Sequence, residues 1–577
     1  MTPRHAHTPT NETARVVALP RVVPPVVDLT SRLRFRERCE QGCDWCGRAL
    51  FPIQSTSLQA IADNRGALLG LGVGWGKTAI ALLAPTVLGA AFAVILTRPS
   101  LVEAMREEYD KLRRHYRLAP CLPMSYAELS QPKSTGVLGT ITARHANDRV
   151  VVVMDEVHNL ARLESARTKR VLRFAEEHPG VMFVGLSGTL TSRSLKQYAH
   201  LAALCLGDRS PLPRPSAKGE LSAWASCIDN DGHPKPEERA RLRPLWEAFG
   251  AEPVNGQYIL HGKQLQEWHR RAYRSRLQSA PGVVLTEASS IGTSLVVTQL
   301  DGLTVPPTVA EPLAKLLKEG VDPRGDAMQS DDDLWRVARH LSVGFYMRWV
   351  WPNNVVDTEW LDARREWHRL VRSELRDARE GYDSPLLVWN TVARRRAAGE
   401  RDFLTEAQAA WAAVKDRPEP PSVVTWLSSY YVEWIRDYVA RQPGPVIVWY
   451  ESRPMAAALA LVGLPVYGSG TRIPEDPPGR NIAASWLVHR DGCNLQRAWS
   501  RNLVIEPPAN GLVWEQMVGR THRTGQPADE VEVEAVAHTR PFKEAIAKAR
   551  ASARYIEDSM GNRQKLNFCT WAKGAMA

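Results

Sequence analysis

Between residues 50 and 207, short runs of apolar residues alternate with longer stretches whose apolar positions recur every three or four residues. The short runs read as buried strands, and the longer stretches fit amphipathic helices. Strands are predicted at 67–69, 91–96, 150–154 and 181–186, with helices at 101–116 and 161–177. This alternation predicts a doubly wound parallel sheet, an α/β architecture in which chemistry sits where strands end and loops begin. A second unit of the same kind is predicted from strands at 446–450, 485–488, 502–505 and 531–536, entered by a helix at 426–441. Between the two, 208–300 reads as an insertion, proline-rich at 211–215, helical at 264–277 and with a strand at 294–298. Helical periodicity continues at 332–341, 358–380 and 406–415, and prolines at 418–421 mark a linker. The first 30 residues have no usable period and are expected to be a disordered or loosely docked tail. The division is therefore 1–30 tail, 31–207 first unit, 208–420 mostly helical insertion and 421–577 second unit, with no repeat of solenoid length.

Composition narrows the classes. In 577 residues, apolar types make up 44% and charged types 24%, as in ordinary soluble proteins. A net charge of +11 favours a polyanionic partner, because Lys and Arg clusters displace the counterions of phosphates. Eight cysteines in so long a chain do not form a disulfide framework, so a reducing compartment is expected. The longest apolar run, 79–96, is broken by Pro85 and Gly89 and reads as helix plus strand rather than a membrane span. With no signal-peptide pattern at the start, a cytoplasmic protein without a membrane partner is expected.

Three stretches carry candidate chemistry. Leu71-Gly72-Val73-Gly74-Trp75-Gly76-Lys77-Thr78 lies between a strand and a helix. Glycines there let backbone N–H groups turn toward an anion, Lys77 can reach terminal phosphates, and the Thr78 hydroxyl can hold Mg²⁺. The run 150–154 leads directly into Asp155-Glu156-Val157-His158. Asp155 suits a Mg²⁺ ligand and Glu156 a base for an attacking water. Strand 181–186 ends in Ser187-Gly188-Thr189, small hydroxyl residues able to hydrogen-bond the Asp-Glu loop. Upstream, the amide of Gln54 can donate and accept at once, as the N6/N7 edge of adenine requires. Near the end, helical spacing places Gln516, Arg520 and Arg523 on one face, where the arginines could act on a terminal phosphate. Trp335, Trp349, Trp351, Trp360, Trp367, Trp389 and Trp411 could stack bases, but core anchoring between helices is the simpler expectation. Cys39, Cys43 and Cys46 have the spacing of a three-cysteine iron–sulfur loop or of three zinc ligands. No nearby Cys or His supplies a fourth ligand at the expected spacing. His5, His7 and Cys121 are distant, so reduced thiols are the simpler expectation.

Taken together, these residues resemble superfamily 2 helicases, most closely the Swi/Snf-like DNA translocases, over 50–207 and 442–536. Gln54 resembles the adenine-reading glutamine, Gly74–Thr78 the phosphate loop and Asp155–His158 the DExH box. Ser187–Thr189 resembles the coupling triplet, and Gln516–Gln526 the closing arginine motif, with its His-Arg-x-Gly-Gln ending. By the same resemblance, Arg98, Pro99 and Ser100 and then Ser125 and Tyr126 are nucleic-acid contacts, and Gly492-Cys493-Asn494-Leu495 is a loop touching ATP and nucleic acid. The chain departs from the pattern at Leu71, at Trp75 and at 488–491. The resemblance implies two RecA-like domains, ATP and Mg²⁺ as cofactors, and DNA, single-stranded or duplex, rather than RNA as partner. It also implies a phage or prokaryotic source, and hence the host cytoplasm if viral. The expected activity is that of an ATP-dependent DNA helicase or translocase, the alternative being a duplex remodeller that displaces proteins without separating strands. In either case Lys77, Asp155, Glu156, Arg520 and Arg523 are the expected catalytic set, with Gln516 coupling.

Overall fold

The computed structural model describes residues 11–575 apart from 73, 131–137, 139–140, 142–148, 164, 189–193, 231, 251–261, 287–292, 325–327, 329–330, 377–384 and 475–478. The chain divides into two compact units: Met1–Gly292 with Arg550–Phe568, and Thr293–Ala549 with Cys569–Ala577.

In the first unit, six strands form one wholly parallel sheet: β1 Ala67–Gly70, β2 Phe92–Thr97, β3 Cys121–Ser125, β4 Val150–Asp155, β5 Met182–Ser187 and β6 Val283–Leu285. Their order across the sheet is β3-β2-β4-β5-β1-β6. Strand β4 is buried at every position, which explains its unbroken run of valines: in a parallel sheet covered on both faces, no position faces water. Helices Pro52–Asn64, Lys77–Val87 and Val102–Leu112 supply apolar positions to one cluster, and Ala166–Glu177 and Ala199–Leu206 to another.

The sequence expectation placed the first unit's end near residue 207, but the unit continues to 292 and regains Arg550–Phe568. Helices Lys218–Ile228, Pro236–Phe249 and Gly262–Gln278 belong to it, packed around Trp224 and Tyr273, with β6 closing the sheet edge. Within the expected disordered or loosely docked tail, the described residues 11–30 include a docked helix. Helix Glu12–Ala18 docks because the Glu220 carboxylate accepts the N–H groups of Glu12 and Thr13, while Thr13 accepts from the Trp224 indole. Arg15 donates to the carbonyls of Asp208, Ser210 and Leu212. Polar side chains from distant positions thus hold a segment that has no period of its own.

In the second unit, seven parallel strands are ordered β11-β12-β10-β13-β14-β7-β15: β7 Ser294–Asp301, β10 Val446–Tyr450, β11 Val466–Tyr467, β12 Ile482–Ser485, β13 Arg501–Val504, β14 Glu530–Val536 and β15 Thr570–Ala575. A separate antiparallel pair joins β8 Phe345–Trp349 to β9 Ser422–Trp426. The expected strand at 485–488 is displaced: Ile482–Ser485 forms β12 and Trp486–His489 turns into helix, where the Trp486 indole donates to the Glu506 carbonyl. The alanines of β12 carry too little apolar signal to compete with Trp-Leu-Val in the sequence. Likewise the helix expected at 426–441 is Tyr430–Ala440, with β9 before it, and the helix expected at 358–380 is Thr358–Arg376, residues 377–384 lying outside the described set. Residues on both sides of the expected boundary at 420 lie within this unit.

Six of the seven tryptophans of the helical region pack against one another. Trp360, 2% exposed, meets Trp349, Trp351 and Trp411 edge-on at 5.6–5.8 Å, and Arg364 lies over the rings of Trp349 and Trp360. Trp367 and Trp389 form a further edge-on pair. Such pairs add about 0.5–1.5 kcal/mol beyond burial, a core-anchoring role. No helix among the described residues is long and apolar enough to cross a membrane.

Candidate functional site

At the carboxyl end of β1 the backbone leaves the sheet through Leu71, whose N–H still bonds Ser187 O, and Gly72, whose N–H donates to the Thr286 hydroxyl. Gly74 has φ +95° and open space where a Cβ would stand. Gly76 has φ +69°, and a Cβ there would lie 2.2 Å from the Gln54 amide nitrogen. Glycine is needed at 76 twice over, for the left-handed turn and for the close approach. Helix Lys77–Val87 starts immediately, so its unpaired N–H groups and its positive dipole end face the loop. Trp75 packs partly buried against the apolar cluster beneath the helix, with its indole beside Gly72. It anchors the loop to the core.

Lys77 Nζ donates to the carbonyls of Leu71 (3.1 Å) and Gly72 (3.4 Å) and lies 3.8 Å from Glu156 Oε1. Asp155, at the end of β4, accepts from the Thr97 hydroxyl at the end of β2 (3.1 Å). Glu156 follows with φ +53°, an uncommon conformation for a residue with a side chain. The two adjacent carboxyls part in opposite directions. Burial, and then the neighbouring Glu156 charge, push Asp155 up to about 6 against the pull of Lys77. Burial also works to raise Glu156, but Lys77, His158 and Arg98 outweigh it and hold its carboxyl well below the usual range. Glu156 therefore stays ionised, and its buried Oε2 has no hydrogen-bond partner although His158 Nδ1 is 3.3 Å away.

His158 ties three strand ends together. Arg98, just past β2, approaches His158 Nε2 at 2.9 Å, and His158 Nδ1 lies 2.9 Å from the Ser187 hydroxyl at the end of β5. A guanidinium can only donate, so Nε2 accepts and Nδ1 carries the proton toward Ser187. A Cβ on the adjacent Gly188 would lie 3.5 Å from Lys77 Nζ, so this turn adjoins the loop lysine. Lys77, Asp155, Glu156, Ser187 and Gly188 thus converge at one edge of the sheet, with Thr78 in the first turn of the loop helix. Thr189 lies outside the described residues, and for Ser100 only the backbone, in a 3₁₀ turn at Pro99–Leu101, is described.

Gln54, the expected adenine reader, sits against the glycine loop. It is buried, its Oε1 accepts Phe51 N–H (2.8 Å), and its Nε2 donates to Gly76 O (3.3 Å), so it braces the glycine loop. Ser125 and Tyr126, expected as nucleic-acid contacts, are both buried. Tyr126 donates to the Asp155 carbonyl (2.8 Å) and Ser125 caps the turn at Glu128. Side chains enclosed this way cannot touch a polymer. Their work is to hold the end of β4.

Two residues at this edge carry no motif signal. Thr286 receives the Gly72 N–H, and Asn562, from the returning C-terminal segment, donates to Gly70 O (3.0 Å) and Gly188 O (3.3 Å).

In the second unit, helix Gly511–Val518 ends at Gly519, before Arg520 and Arg523, so the expected single helical face does not form. Gln516 is buried in the helix, and the arginines occupy the turn after it. That turn meets the 492–495 loop: Arg520 donates to Cys493 O (3.2 Å), Arg523 to Asn494 Oδ1 (2.6 Å), and Leu495 N–H to Arg520 O. Gln526 donates to the carbonyls of Trp499 and Thr521, closing the turn.

Elsewhere in the first unit, Cys39, Cys43, Cys46 and His115 place their ligand atoms within 4.8 Å of one another, a group able to hold a metal ion. His115 is 76 chain positions from Cys39, too far for spacing to reveal it. Backbone N–H groups of Cys39 and then Cys43 draw the Cys46 thiol down to about 7 against burial, whereas burial raises Cys43. Compared with family models and with curated proteins, the chain has no match.

Proposed function

We propose that this chain is an ATP-hydrolysing motor of the helicase type that moves along DNA, its two sheets being RecA-like domains. The observation that carries the reading is the approach of Lys77 to Glu156 at 3.8 Å, across the end of β5, which lies between β1 and β4, and beside a glycine loop. The open space at Gly74 and the unpartnered Glu156 Oε2 fit a bound phosphate and a water better than a closed structural turn. Lys77 and the loop amides would hold the phosphates of ATP, and Thr78 and Asp155 the Mg²⁺. When bound, Mg·ATP supplies the phosphoanhydride whose cleavage releases the free energy for movement. Glu156, kept ionised by Lys77, is the group suited to orient and deprotonate water. Arg520 and Arg523 are the proposed catalytic arginines of the second unit. The net charge of +11 supports a nucleic-acid track gripped through phosphates. Arg98 and Asn494 are proposed contacts with that track.

The test is the ATPase rate with single-stranded DNA, duplex DNA, RNA and no nucleic acid. Stimulation by DNA above RNA is expected. Hydrolysis indifferent to all three would reject the motor, and no hydrolysis would reject the nucleotide site. A forked duplex beside a triplex substrate then separates unwinding from translocation alone.

The Arg98–His158–Ser187 link is proposed to couple this site to DNA. With Ser187→Ala, His158 loses its link to the end of β5, and DNA-stimulated turnover is expected to fall about 2- to 30-fold, the range of such coupling energies. Basal turnover should change less. Equal loss in both rates would show that Ser187 serves the site and not the coupling.

A further inference from the structure

The thiolate–imidazole cluster lies apart from the chemistry above, and its geometry is that of a single tetrahedral ion. Around zinc, bonds of about 2.3 Å to sulfur and about 2.0 Å to nitrogen set thiolates about 3.8 Å apart and a thiolate and imidazole about 3.5 Å apart. Here Cys39 Sγ and Cys46 Sγ are 3.6 Å apart, Cys43 Sγ and Cys46 Sγ 4.0 Å, and His115 Nε2 is 3.0 Å from Cys43 Sγ and 3.7 Å from Cys46 Sγ. A multi-iron cluster would have to fit its own irons and sulfides among these atoms and spread them beyond such distances. A disulfide would use two sulfurs and leave a third thiol and an imidazole converging without purpose.

The surroundings are those of a metal site. His115 Nδ1 lies 3.0 Å from the Arg36 carbonyl, which fixes the proton on Nδ1 and turns the Nε2 lone pair toward the sulfurs. The backbone N–H groups of Cys39 (3.4 Å) and Cys43 (3.3 Å) both point at Cys46 Sγ, as expected around a charged thiolate. His115 itself is fully buried. The loop between the cysteines is locked against the helix that precedes His115: the Trp45 indole donates to Glu108 Oε1 (2.7 Å) and its ring meets Tyr116 edge-on. Phe35 N–H bonds His115 O, and Arg117 N–H bonds Leu33 O.

We propose that Cys39, Cys43, Cys46 and His115 bind one structural zinc ion, stapling the segment before helix Pro52–Asn64 to the β2–β3 crossover. With four protein ligands the site is closed and has no position for a substrate.

Metal analysis of the full chain, purified under reducing conditions without added chelator, tests this. About one zinc per chain is expected. It should be lost in His115→Ala and kept in Cys121→Ser, whose thiol stands outside the cluster. His115→Cys keeps four ligands, so a folded variant should still bind one ion. Cobalt substitution should give tetrahedral absorption with thiolate charge-transfer bands, which gain intensity in His115→Cys. A folded chain without metal, one iron in place of zinc, a Cys39–Cys46 disulfide, or zinc retained in His115→Ala would each overturn the assignment. These readouts do not depend on nucleotide hydrolysis.

Discussion

Lys77→Ala is expected to reduce ATP turnover at least about 100-fold, the scale of removing one preorganised donor from a site of developing charge. The lysine lies 3.8 Å from the Glu156 carboxylate, and with Arg98 and His158 it offsets a burial penalty shared by two adjacent acids. Without it, the Glu156 carboxyl moves upward toward the neutral form and loses its value as a base, while the phosphates lose their charge partner. Both effects act in the same direction, so the loss should appear in turnover with and without DNA. Glu156→Gln separates them. It keeps the cation and the volume, and is expected to bind nucleotide but not hydrolyse it. Rates are measured under saturating nucleotide, with circular dichroism verifying the fold. DNA-stimulated hydrolysis at the wild-type rate in either variant would reject the proposed chemistry.

The second large effect is on stability. Tyr555→Ala is expected to destabilise the first unit by about 3–5 kcal/mol, the cost of emptying a buried aromatic site. Tyr555 is fully buried and donates to Asp229 Oδ1, which also accepts the Leu195 N–H. Seven residues later, Asn562 bonds the two turns beside the glycine loop. Loosening this segment should therefore also disturb the ends of β1 and β5. Tyr555→Phe keeps the ring and removes one hydrogen bond, a change of about 1 kcal/mol. Hydrogen exchange at the amides of β1 and β5 reads both: a large loss of protection in the alanine variant and a small one in the phenylalanine variant. Unchanged protection in Tyr555→Ala would mean that the returning segment contributes little to this unit.

Much of the architecture was legible because parallel strands covered on both faces must be continuously apolar. β4, β2 and β10 announce themselves in this way, and β1, β5, β13 and β14 lie within one residue of expectation at each end. Harder to read were strands whose burial comes from their neighbours. β12 is mostly alanine and serine, β3 is interrupted by Pro123, and β6 is three residues long. The helical face drawn through Gln516, Arg520 and Arg523 failed because Gly519 ends the helix, and the 492–495 loop then holds the arginines through backbone and side-chain bonds. For Ser125 and Tyr126, residue type was a poor guide: a hydroxyl that could meet a phosphate instead meets the Asp155 carbonyl.

The sequence by itself determined the local parts of the candidate site. A glycine loop must follow a strand and open a helix, and acids after four valines must stand at a strand's end. Both follow from bonds and contacts within a few residues. Only the tertiary structure decided which parts meet. Sheet order, not chain order, sets Lys77 against Glu156 with β5 between their strands, and brings Arg98, His158 and Ser187 into one line. It also moves Asn562 from the far end of the chain to the foot of the glycine loop, and carries His115 to the three cysteines. Such partners are chosen by the packing of whole elements, and chain spacing holds no record of them.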